Sequence, residues 1–305
     1  MTIDENQLAL TRQMAYGIRK LSIKAIENAG WGHVGGSLSI AEVLAALYFC
    51  VMRVDPTRAD WNLRDYLIFS KAHASPALYA ALALRGFFPM ERLSTYCRLG
   101  GLEGHLMRED APGIEVSGGS LGMGLSVAAG IAQALKMREC FAQRVYCVVG
   151  DGELSEGQIW EGAMFAAQHG LDNLIVVVDY NKVCAKGFIY DTIALEPLRE
   201  RFASFGFTVL EADGHDPGEL LQAFHKARRI AVTGKPICII CHTVKGCGVS
   251  ECEFNYRWHT HAPSADTTAR FLEELALRYS EEAAALAGTH PDLLECFSTE
   301  KKEQI

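Results

Sequence analysis

The chain has 305 residues, of which 49% are hydrophobic and 22% are charged, a composition typical of a globular protein with a large core. Its formal net charge is −8 and no run of Lys or Arg is longer than a pair, which argues against nucleic acid or an anionic membrane surface as a partner. The first residues lack the pattern of a signal peptide and no apolar stretch is long enough to span a bilayer, so we expect a cytoplasmic protein.

Ten cysteines are scattered along the chain, and several fall in segments that we predict to be buried. A chain of this size does not need disulfide bonds to be stable. Cys238 and Cys241 form a CxxC pair within a strand-like run, where residues three apart point to opposite faces. We therefore expect neither zinc binding nor redox chemistry from that pair.

The chain begins with a predicted amphipathic helix over residues 5–29, which Gly30 would end. Its apolar side is formed by Leu8, Met14, Ile18, Leu21 and Ala25. Four glycines between positions 30 and 36 predict a loop, and His33 lies within it. Ser39 with Glu42 three residues later has the pattern of a capping box that opens a strongly apolar helix.

Residues 64–70 predict a buried strand, and a helix follows it directly. His73 would therefore lie at the carboxyl end of a strand and near a helix start, where anions bind. His105 lies in a later glycine-containing loop. Residues 118–122, Gly-Gly-Ser-Leu-Gly, then open a long helix of small residues that permits close backbone packing.

The centre of the chain predicts a strand, a helix and a second strand. Residues 145–149 are apolar and rich in β-branched valine, which is typical of a strand buried on both faces, and a Gly-Asp-Gly turn ends it. Ser155 with Gln158 predicts a capping-box start for the helix, and Gly170 its end. The second strand is predicted at residues 174–178.

Asp151 and Asn181 each follow one of these two strands. Right-handed crossover places the ends of both strands on one edge of a parallel sheet, where open α/β sheets bind ligands. A carboxylate with an amide oxygen is a reasonable half-site for Mg²⁺, which takes its other ligands from phosphates and water. The ligand implied is a diphosphate, although a Gly-Asp-Gly turn after a strand often only ends that strand.

The remaining elements repeat this alternation. Residues 207–212 predict a strand, and Asp216 with Glu219 caps the helix that follows. Residues 236–243 predict the last strand, and a final amphipathic helix is expected from about residue 267.

A long irregular loop separates the last strand from the last helix. Loops of this length are usually functional or disordered. Trp258, His259 and His261 favour a functional loop, and Lys245 is a weaker candidate for a phosphate contact.

Strands alternate with helices, and the sequence contains neither an internal repeat nor a linker. This pattern predicts one α/β domain over residues 1–305, with a doubly wound, mostly parallel sheet and helices on both faces. Residues 298–305 are expected to form a frayed polar tail.

The succession of Gly-Asp-Gly, a helix, a buried strand and an Asn resembles the signature of thiamine-diphosphate enzymes. In that family the Asp and Asn side chains, with a backbone carbonyl two residues beyond the Asn, hold Mg²⁺ on the diphosphate. The resemblance implies that Asp151, Asn181 and the carbonyl of Val183 are the metal ligands here. It also implies the thiamine-diphosphate-binding fold, with thiamine diphosphate and Mg²⁺ as cofactors.

Further elements resemble transketolases. His33 lies in a turn similar to Ser-Gly-His-Pro-Gly, with Val34 in place of the proline. Residues 72–75, Ala-His-Ala-Ser, are similar to a Gly-His-Gly-Ser element, although both glycines are alanine. Residues 118–122 resemble the Thr-Gly-Pro-Leu-Gly-Gln-Gly segment whose backbone lines the aminopyrimidine ring, with Met123 where Gln is usual.

Transketolases also place a site histidine shortly before an Ala-Pro. The split-type pattern Trp-His-x-x-Ala-Pro selects His259, while the spacing to Ala-Pro leaves His261 open. By the resemblance, the catalytic residues are His33, His73, His105, His259 and Glu156. The expected cofactor contacts are His73, Gly119, Leu121, Gly152, Asn181 and His259.

The resemblance runs from residue 30 to about residue 263. In full-length transketolases a second domain carries the Glu that activates the aminopyrimidine and most of the arginines that bind sugar phosphates. We therefore expect the N-terminal subunit of a split transketolase, active with a C-terminal-half partner subunit in an α₂β₂ assembly. Family chemistry is the transfer of a two-carbon ketol unit from a ketose to an aldose; sugar phosphates are the expected substrates, and the individual sugars stay open.

Glu156 matches a family Glu at the subunit contact that couples two active sites; a first-turn Glu favoured by the helix dipole is the alternative. The nearest rival enzyme is the α-type subunit of a 2-oxoacid dehydrogenase, which shares the Gly-Asp-Gly and the Asn. The loops around His33 and His259 argue against it. A catalytically idle regulatory half is a third hypothesis, which the presence of Asp151 and Asn181 disfavours.

Overall fold

The computed structural model describes residues 3–289, with side chains described for residues 3–281. Its centre is a sheet of five strands that all pair in parallel, in the order β1-β2-β3-β5-β4. The strands are β1 (Tyr66–Phe69), β2 (Val145–Gly150), β3 (Leu174–Tyr180), β4 (Thr208–Asp213) and β5 (Ile237–His242). Each predicted strand is present within two residues of its predicted bounds, because each is a short apolar run that stays buried in a parallel sheet.

Helices cover both faces of the sheet. They are α1 (Glu5–Ala29), α2 (Val34–Leu38), α3 (Ala41–Ala46), α4 (Ser75–Arg85), α5 (Met123–Met137), α6 (Gly157–Gln168), α7 (Leu198–Ser204), α8 (Pro217–Ile230) and α9 (Ala265–Thr289). Successive side chains of a strand point to opposite faces. Tyr146 and Val148 therefore join the hydrophobic core formed with α1, α3, α4 and α8, whereas Cys147 joins the core formed with α5, α6 and α7.

The carboxyl ends of three adjacent strands, β1, β2 and β3, are followed by polar residues. Ser70 and Lys71 follow β1, Asp151 follows β2, and Asn181 follows β3. Because β3 lies between β2 and β5, loops from three neighbouring strands converge at this carboxyl edge. Open α/β sheets bind ligands in this position.

The predicted capping box of Ser39 and Glu42 is wrong. The chain turns helical earlier, at α2, and the Ser39 hydroxyl donates to the buried carboxylate of Asp179 at 2.7 Å. Glu42 is buried and accepts hydrogen bonds from Arg19, at 2.6 Å for one of them. Ser39 and Glu42 each contact a buried charged residue that is not a neighbour in the sequence, Asp179 and Arg19 respectively. Leaving such a charge without a partner would cost more free energy than leaving the helix start without a side-chain cap.

The predicted capping box of Ser155 and Gln158 is also wrong. Helix α6 begins at Gly157, with Glu156 at its N-cap and no side-chain hydrogen bond there. The amide of Gln158 instead donates to the Ser126 hydroxyl of α5 at 3.2 Å. Packing of α5 against α6 places this polar pair within reach, so a contact between helices replaces the local cap.

Two local predictions at helix ends are confirmed. Gly30 ends α1 in the left-handed conformation, with φ of 72°, and Asp216 accepts from the backbone N–H of Glu219 at the start of α8. Cys238 and Cys241 are buried in opposite cores, and burial raises the pKa of both thiols. Within the described residues, no helix has the length and apolar character that a bilayer crossing requires.

Two predictions stay untested by the structure. The frayed tail at residues 298–305 lies outside the described residues. The single domain over residues 1–305 stays a prediction.

Candidate active site

A cavity of about 420 Å³ opens at the carboxyl edge of the sheet. Small-molecule sites commonly have volumes of this order. Among the predicted site residues, those that line it are His33, His73, His105, Gly119, Leu121, Asp151, Gly152, Asn181, Val183 and His259. Lys71, Glu153 and Lys245 line the same cavity. Residues from six separate connections between helices and strands therefore meet at one place.

The carboxylate of Asp179 is the anion at the base of this site. It is fully buried at the end of β3, and it accepts hydrogen bonds from the Lys71 ammonium and from the Ser39 and Thr243 hydroxyls. The Asn181 amide donates to it at 3.1 Å. Burial alone raises the pKa of Asp179, but Lys71 and these hydrogen bonds together hold it below its usual value. Asp179 thereby orients the amide of Asn181.

Three oxygen-bearing residues lie together beside this anion. The Asp151 carboxylate accepts from the backbone N–H of Lys182, the residue that follows Asn181. The amide oxygen of Asn181 accepts from the backbone N–H of Val183 at 3.2 Å. The carbonyl of Val183 accepts from the Lys245 ammonium at 2.8 Å. A carboxylate, an amide and a carbonyl form a donor set that suits a hard cation such as Mg²⁺.

The electrostatics of these groups fit a cation. Burial, followed by repulsion from Asp179, raises the pKa of Asp151 to about 7. Burial also lowers the pKa of Lys245 to about 8. The cavity therefore holds a carboxylate that lacks sufficient positive charge around it, and a divalent ion would supply that charge.

His259 and His261 occupy different environments. His259 lines the cavity, and its Nδ1 accepts from the Lys245 ammonium at 2.9 Å. His261 is exposed, and its ring lies edge-on to Trp258 at 4.9 Å. Although they are only two residues apart, the side chain of His259 lies in the cavity and that of His261 lies outside it.

Four imidazoles form a cluster centred on His33. Its ring centroid lies 5.2 Å from that of His73, 5.8 Å from His105 and 5.3 Å from His259. His73 and His259 are 5.5 Å apart. The four residues come from loops at both ends of the chain, and the fold brings them to one wall of the cavity.

Burial and nearby cations favour the neutral form of three of these residues, His33, His73 and His259. Burial, then His105 and Lys245, lowers the pKa of His33 to about 4. Burial and Lys245 lower the pKa of His259 to about 3, and burial and Lys71 hold that of His73 well below 6.5. The Nδ1 of His33 is buried, and no hydrogen-bond partner reaches it from the residues that the structure describes. Such an unsatisfied polar atom is suited to a ligand.

The buried carboxylate of Glu153 holds the segment that carries Gly119 and Leu121 in place. Glu153 accepts from the Ser70 hydroxyl, from the backbone N–H of Gly122 at 2.8 Å and from that of Gly150 at 3.1 Å. One carboxylate thus joins the ends of β1 and β2 to the start of α5, where the cofactor contacts were expected. Its pKa is raised by burial.

Residues 10–285 match the family described as transketolase, thiamine diphosphate binding domain. The chain belongs to the transketolase family. The transketolase resemblance drawn from the motifs is thereby confirmed.

Named relatives agree with this assignment. The chain is 47% identical to the 6-deoxy-6-sulfo-D-fructose transketolase subunit SqwG of Clostridium sp. (strain MSTE9) over 249 residues, which are 81% of this chain and 89% of that protein. It is 40% identical to an apulose-4-phosphate transketolase subunit of Phocaeicola vulgatus over 262 residues, 85% of this chain and 92% of that protein.

Solved transketolases confirm the fold class. The structure of Pichia stipitis transketolase in complex with sedoheptulose-7-phosphate superposes with a TM-score of 0.80 at 27% identity. The match covers 93% of this chain and 48% of that chain, so the protein spans about half the length of this transketolase.

Glu156 lies apart from the other predicted site residues of this transketolase-family chain. It is exposed at the start of α6, outside the cavity lining, and it packs against Gly122. Its expected role at a subunit contact stays a prediction.

Sequence reasoning missed two charged residues of the site. Lys71 directly follows an apolar strand, and that position was a usable signal because it places an ammonium at the carboxyl edge of the sheet. Glu153 lies two residues after Asp151 and has no comparable signal, since its partners Ser70 and Gly122 are distant in the sequence.

The depressed pKa of His33 predicts how stability depends on pH in this transketolase-family protein. The unfolded chain binds a proton at this residue near pH 6.5, while the folded chain does so only near pH 4, so stability falls as pH drops through this window. Between pH 6.5 and pH 4 the free energy of unfolding should fall less for His33→Gln than for the wild type. We expect the two decreases to differ by on the order of 1–3 kcal/mol. Denaturant titrations across the window measure the difference.

The exposed His261 provides the matched control on the loop that also carries His259. His261→Gln shows what the exchange of an exposed His for Gln does by itself. If the stability of His33→Gln fell with pH as steeply as that of the wild type, protonation of His33 would not be a cause of the loss of stability at low pH.

Proposed function

We propose that this chain is the N-terminal subunit of a split transketolase, which transfers a two-carbon ketol unit from a ketose to an aldose together with a C-terminal-half partner subunit. The observation that carries the proposal is the cavity in which the oxygens of Asp151, Asn181 and Val183 lie beside four histidines. One end of this cavity suits a metal-bound diphosphate. The other end suits a polyhydroxylated substrate.

At the metal end, Asp151, Asn181 and the carbonyl of Val183 would hold Mg²⁺ on the diphosphate of thiamine diphosphate. Lys245 supplies a buried positive charge beside these oxygens, which supports its role as a contact to the diphosphate. Gly119, Leu121 and Gly152 bring the backbone to the cavity wall, where the cofactor can approach closely. When bound, the thiazolium ring supplies an electron sink for the carbanion of ketol transfer.

At the substrate end, His33, His73, His105 and His259 handle the protons of sugar hydroxyls. Neutral imidazoles can accept a proton through one ring nitrogen and donate through the other. The low pKa values of His33 and His259 keep both in this neutral form at physiological pH. His33 is buried, the other three histidines are half-buried, and their ring contacts with His33 also limit the access of water to the reacting carbons.

The two rival functions have less support. The α-type subunit of a 2-oxoacid dehydrogenase shares the Gly-Asp-Gly and the Asn, but the family match over residues 10–285 is to transketolase. A catalytically idle half would not need the four clustered histidines or the oxygens at the metal end.

The partner subunit would cover one face of the molecule. Met123 on α5 and Met164 and Phe165 on α6 are large apolar residues that are 50%, 54% and 42% exposed. Glu156 is exposed beside them at the start of α6. Exposed apolar residues on two packed helices are suited to contacts with other subunits, which supports an α₂β₂ assembly in which Glu156 lies at a contact.

The substrates in this proposal are ketoses and aldoses with an anionic end group. The relatives are named for a sulfonated sugar and for a sugar phosphate, and both carry an acidic group at the end away from the reacting carbons. Recognition of that group would fall largely to the partner subunit, where the family has its sugar-phosphate arginines.

Replacement of the clustered histidines tests the proposed chemistry. We expect alanine at His33, His105 or His259 to lower the turnover of the assembled complex by on the order of 10²–10⁴-fold, the range for a lost acid or base. Thiamine diphosphate should stay bound in the His33 and His105 variants, whereas alanine at His73 or His259, the two expected cofactor contacts, should weaken binding as well as turnover. Ketol-transfer kinetics and calorimetry on the same preparations separate these effects.

His225→Ala is the control, because this histidine lies on α8, away from the cavity. It should keep wild-type turnover. Full turnover in the His33, His105 and His259 variants would reduce those residues to structural roles.

A further inference from the structure

Trp31 is an unassigned aromatic residue beside the histidine cluster. Its ring lies edge-on to His33, with 5.1 Å between the centroids, and at 6.2 Å from His105. The side chain is 39% exposed, unusually open for a tryptophan that contacts two site residues. Neither the motifs nor the proposed chemistry gives it a role.

A second cavity of about 620 Å³ begins where Trp31 meets His105. It is open to solvent, and its lining is formed by Trp31, Cys97, Arg98, Leu99, Glu103, Gly104, His105 and Met107. His105 lines both cavities. Trp31 and His105 therefore stand between the solvent and the space in which the histidines would meet a substrate.

The indole is held in position from two sides. One side is the edge-on contact with His33. On the other side, the backbone of Gly104 approaches so closely that a Cβ at this position would lie 2.7 Å from the Cζ3 atom of Trp31. Only glycine permits this contact, since real Cβ atoms do not approach heavy atoms to that distance. The contacts with His33 and Gly104 therefore fix the position of the Trp31 ring, although the side chain is partly exposed.

We propose that Trp31 is a specificity-determining residue, which sets the width of the substrate entrance beside His33 and His105. It admits short, unbranched aldoses and excludes aldehydes that carry bulk next to the carbonyl carbon. The inference rests on the proposed ketol transfer. An apolar wall discriminates between substrates by size, and hydrophobic pockets commonly achieve 10–200-fold selection per methylene group.

The test uses the assembled complex with thiamine diphosphate, Mg²⁺ and one ketose donor. We measure kcat/KM for glycolaldehyde, which is small, and for benzaldehyde, which carries a ring on the carbonyl carbon. Trp31→Ala should shift the ratio towards benzaldehyde by at least about tenfold. Trp31→Phe should give an intermediate shift, while the affinity for thiamine diphosphate stays at the wild-type value.

The matched control is Trp61→Ala. Trp61 stacks with Arg58 ahead of β1, at the amino edge of the sheet, and should leave the ratio unchanged. Trp31→Phe keeps an aromatic ring against His33, so it provides a folded variant if the alanine variant is unstable.

Three results would overturn the inference. If the wild-type complex is active and the Trp31 variants keep its ratio of kcat/KM values for the two aldehydes, the inference fails while the proposed function stands. Loss of complex assembly in Trp31→Phe would make Trp31 a subunit contact rather than a substrate wall. A wild-type complex that transfers no ketol unit to either aldehyde or to any aldose overturns the proposed function, and the inference fails with it.

Discussion

Asp151→Ala is expected to abolish Mg²⁺-dependent binding of thiamine diphosphate to the assembled complex. Asp151 is the only carboxylate in the proposed ligand set, and the other two ligands, Asn181 and the Val183 carbonyl, are neutral. Loss of a buried charge that faces a cation costs about 2–5 kcal/mol, so affinity should fall by at least about thirtyfold. Calorimetry with the cofactor, with and without Mg²⁺, measures the change.

Asp151→Asn separates binding from folding. The amide keeps one oxygen for one of the two backbone N–H groups that bond to Asp151, those of Gly152 and Lys182, and it removes the repulsion between Asp151 and the Asp179 carboxylate. Because the lost hydrogen bond and the lost repulsion oppose each other, we expect its cofactor-free thermal midpoint to stay close to that of the wild type, while the rise in midpoint on adding thiamine diphosphate and Mg²⁺ disappears.

Asp172→Ala is the matched control for this experiment. Asp172 pairs with Lys136 just before β3 begins, at the opposite edge of the sheet, and its loss should leave cofactor affinity unchanged. Wild-type affinity for thiamine diphosphate in Asp151→Ala would remove Asp151 from the metal site.

The isolated chain is expected to be inactive, and ketol transfer should appear only when a C-terminal-half subunit is added. In the proposed arrangement this chain holds the diphosphate, while the acid that activates the aminopyrimidine belongs to the partner. Loss of such an acid removes a catalytic group outright, so we expect the activity of the lone chain to be at least about 10²-fold lower. Ketose donors assayed with the two subunits separately and then together measure the gain.

Contacts between subunits supply an independent readout. Met164→Glu puts a charge on the exposed apolar face of α6 and should weaken assembly without changing the fold of this chain. Leu63→Glu is the control, because Leu63 is similarly exposed at 52% but lies ahead of β1. Robust ketol transfer by the lone chain would contradict the split-subunit proposal.

Several features follow from local sequence alone. The five strands are short apolar runs, and that pattern is sufficient because a parallel sheet buries both faces of a strand. The meeting of Asp151 with the loop that carries Asn181 also follows locally, since one right-handed crossover brings the ends of β2 and β3 together. The cap of α8 by Asp216 is another local interaction.

Other features were decided only by tertiary structure. The sequence pattern assigned Ser39 to a helix cap, yet the hydroxyl bonds to Asp179, which is 140 residues away. The spacing could not separate His259 from His261, and the contact with Lys245 did so. Lys71, Glu153 and Trp31 likewise contact residues that are distant in the sequence, and Trp31 does so through His105 and Gly104. Local sequence patterns predict interactions between residues that are close in the chain. Buried charges and aromatic rings instead contact whichever groups the tertiary structure brings close to them, and these can be distant in the sequence.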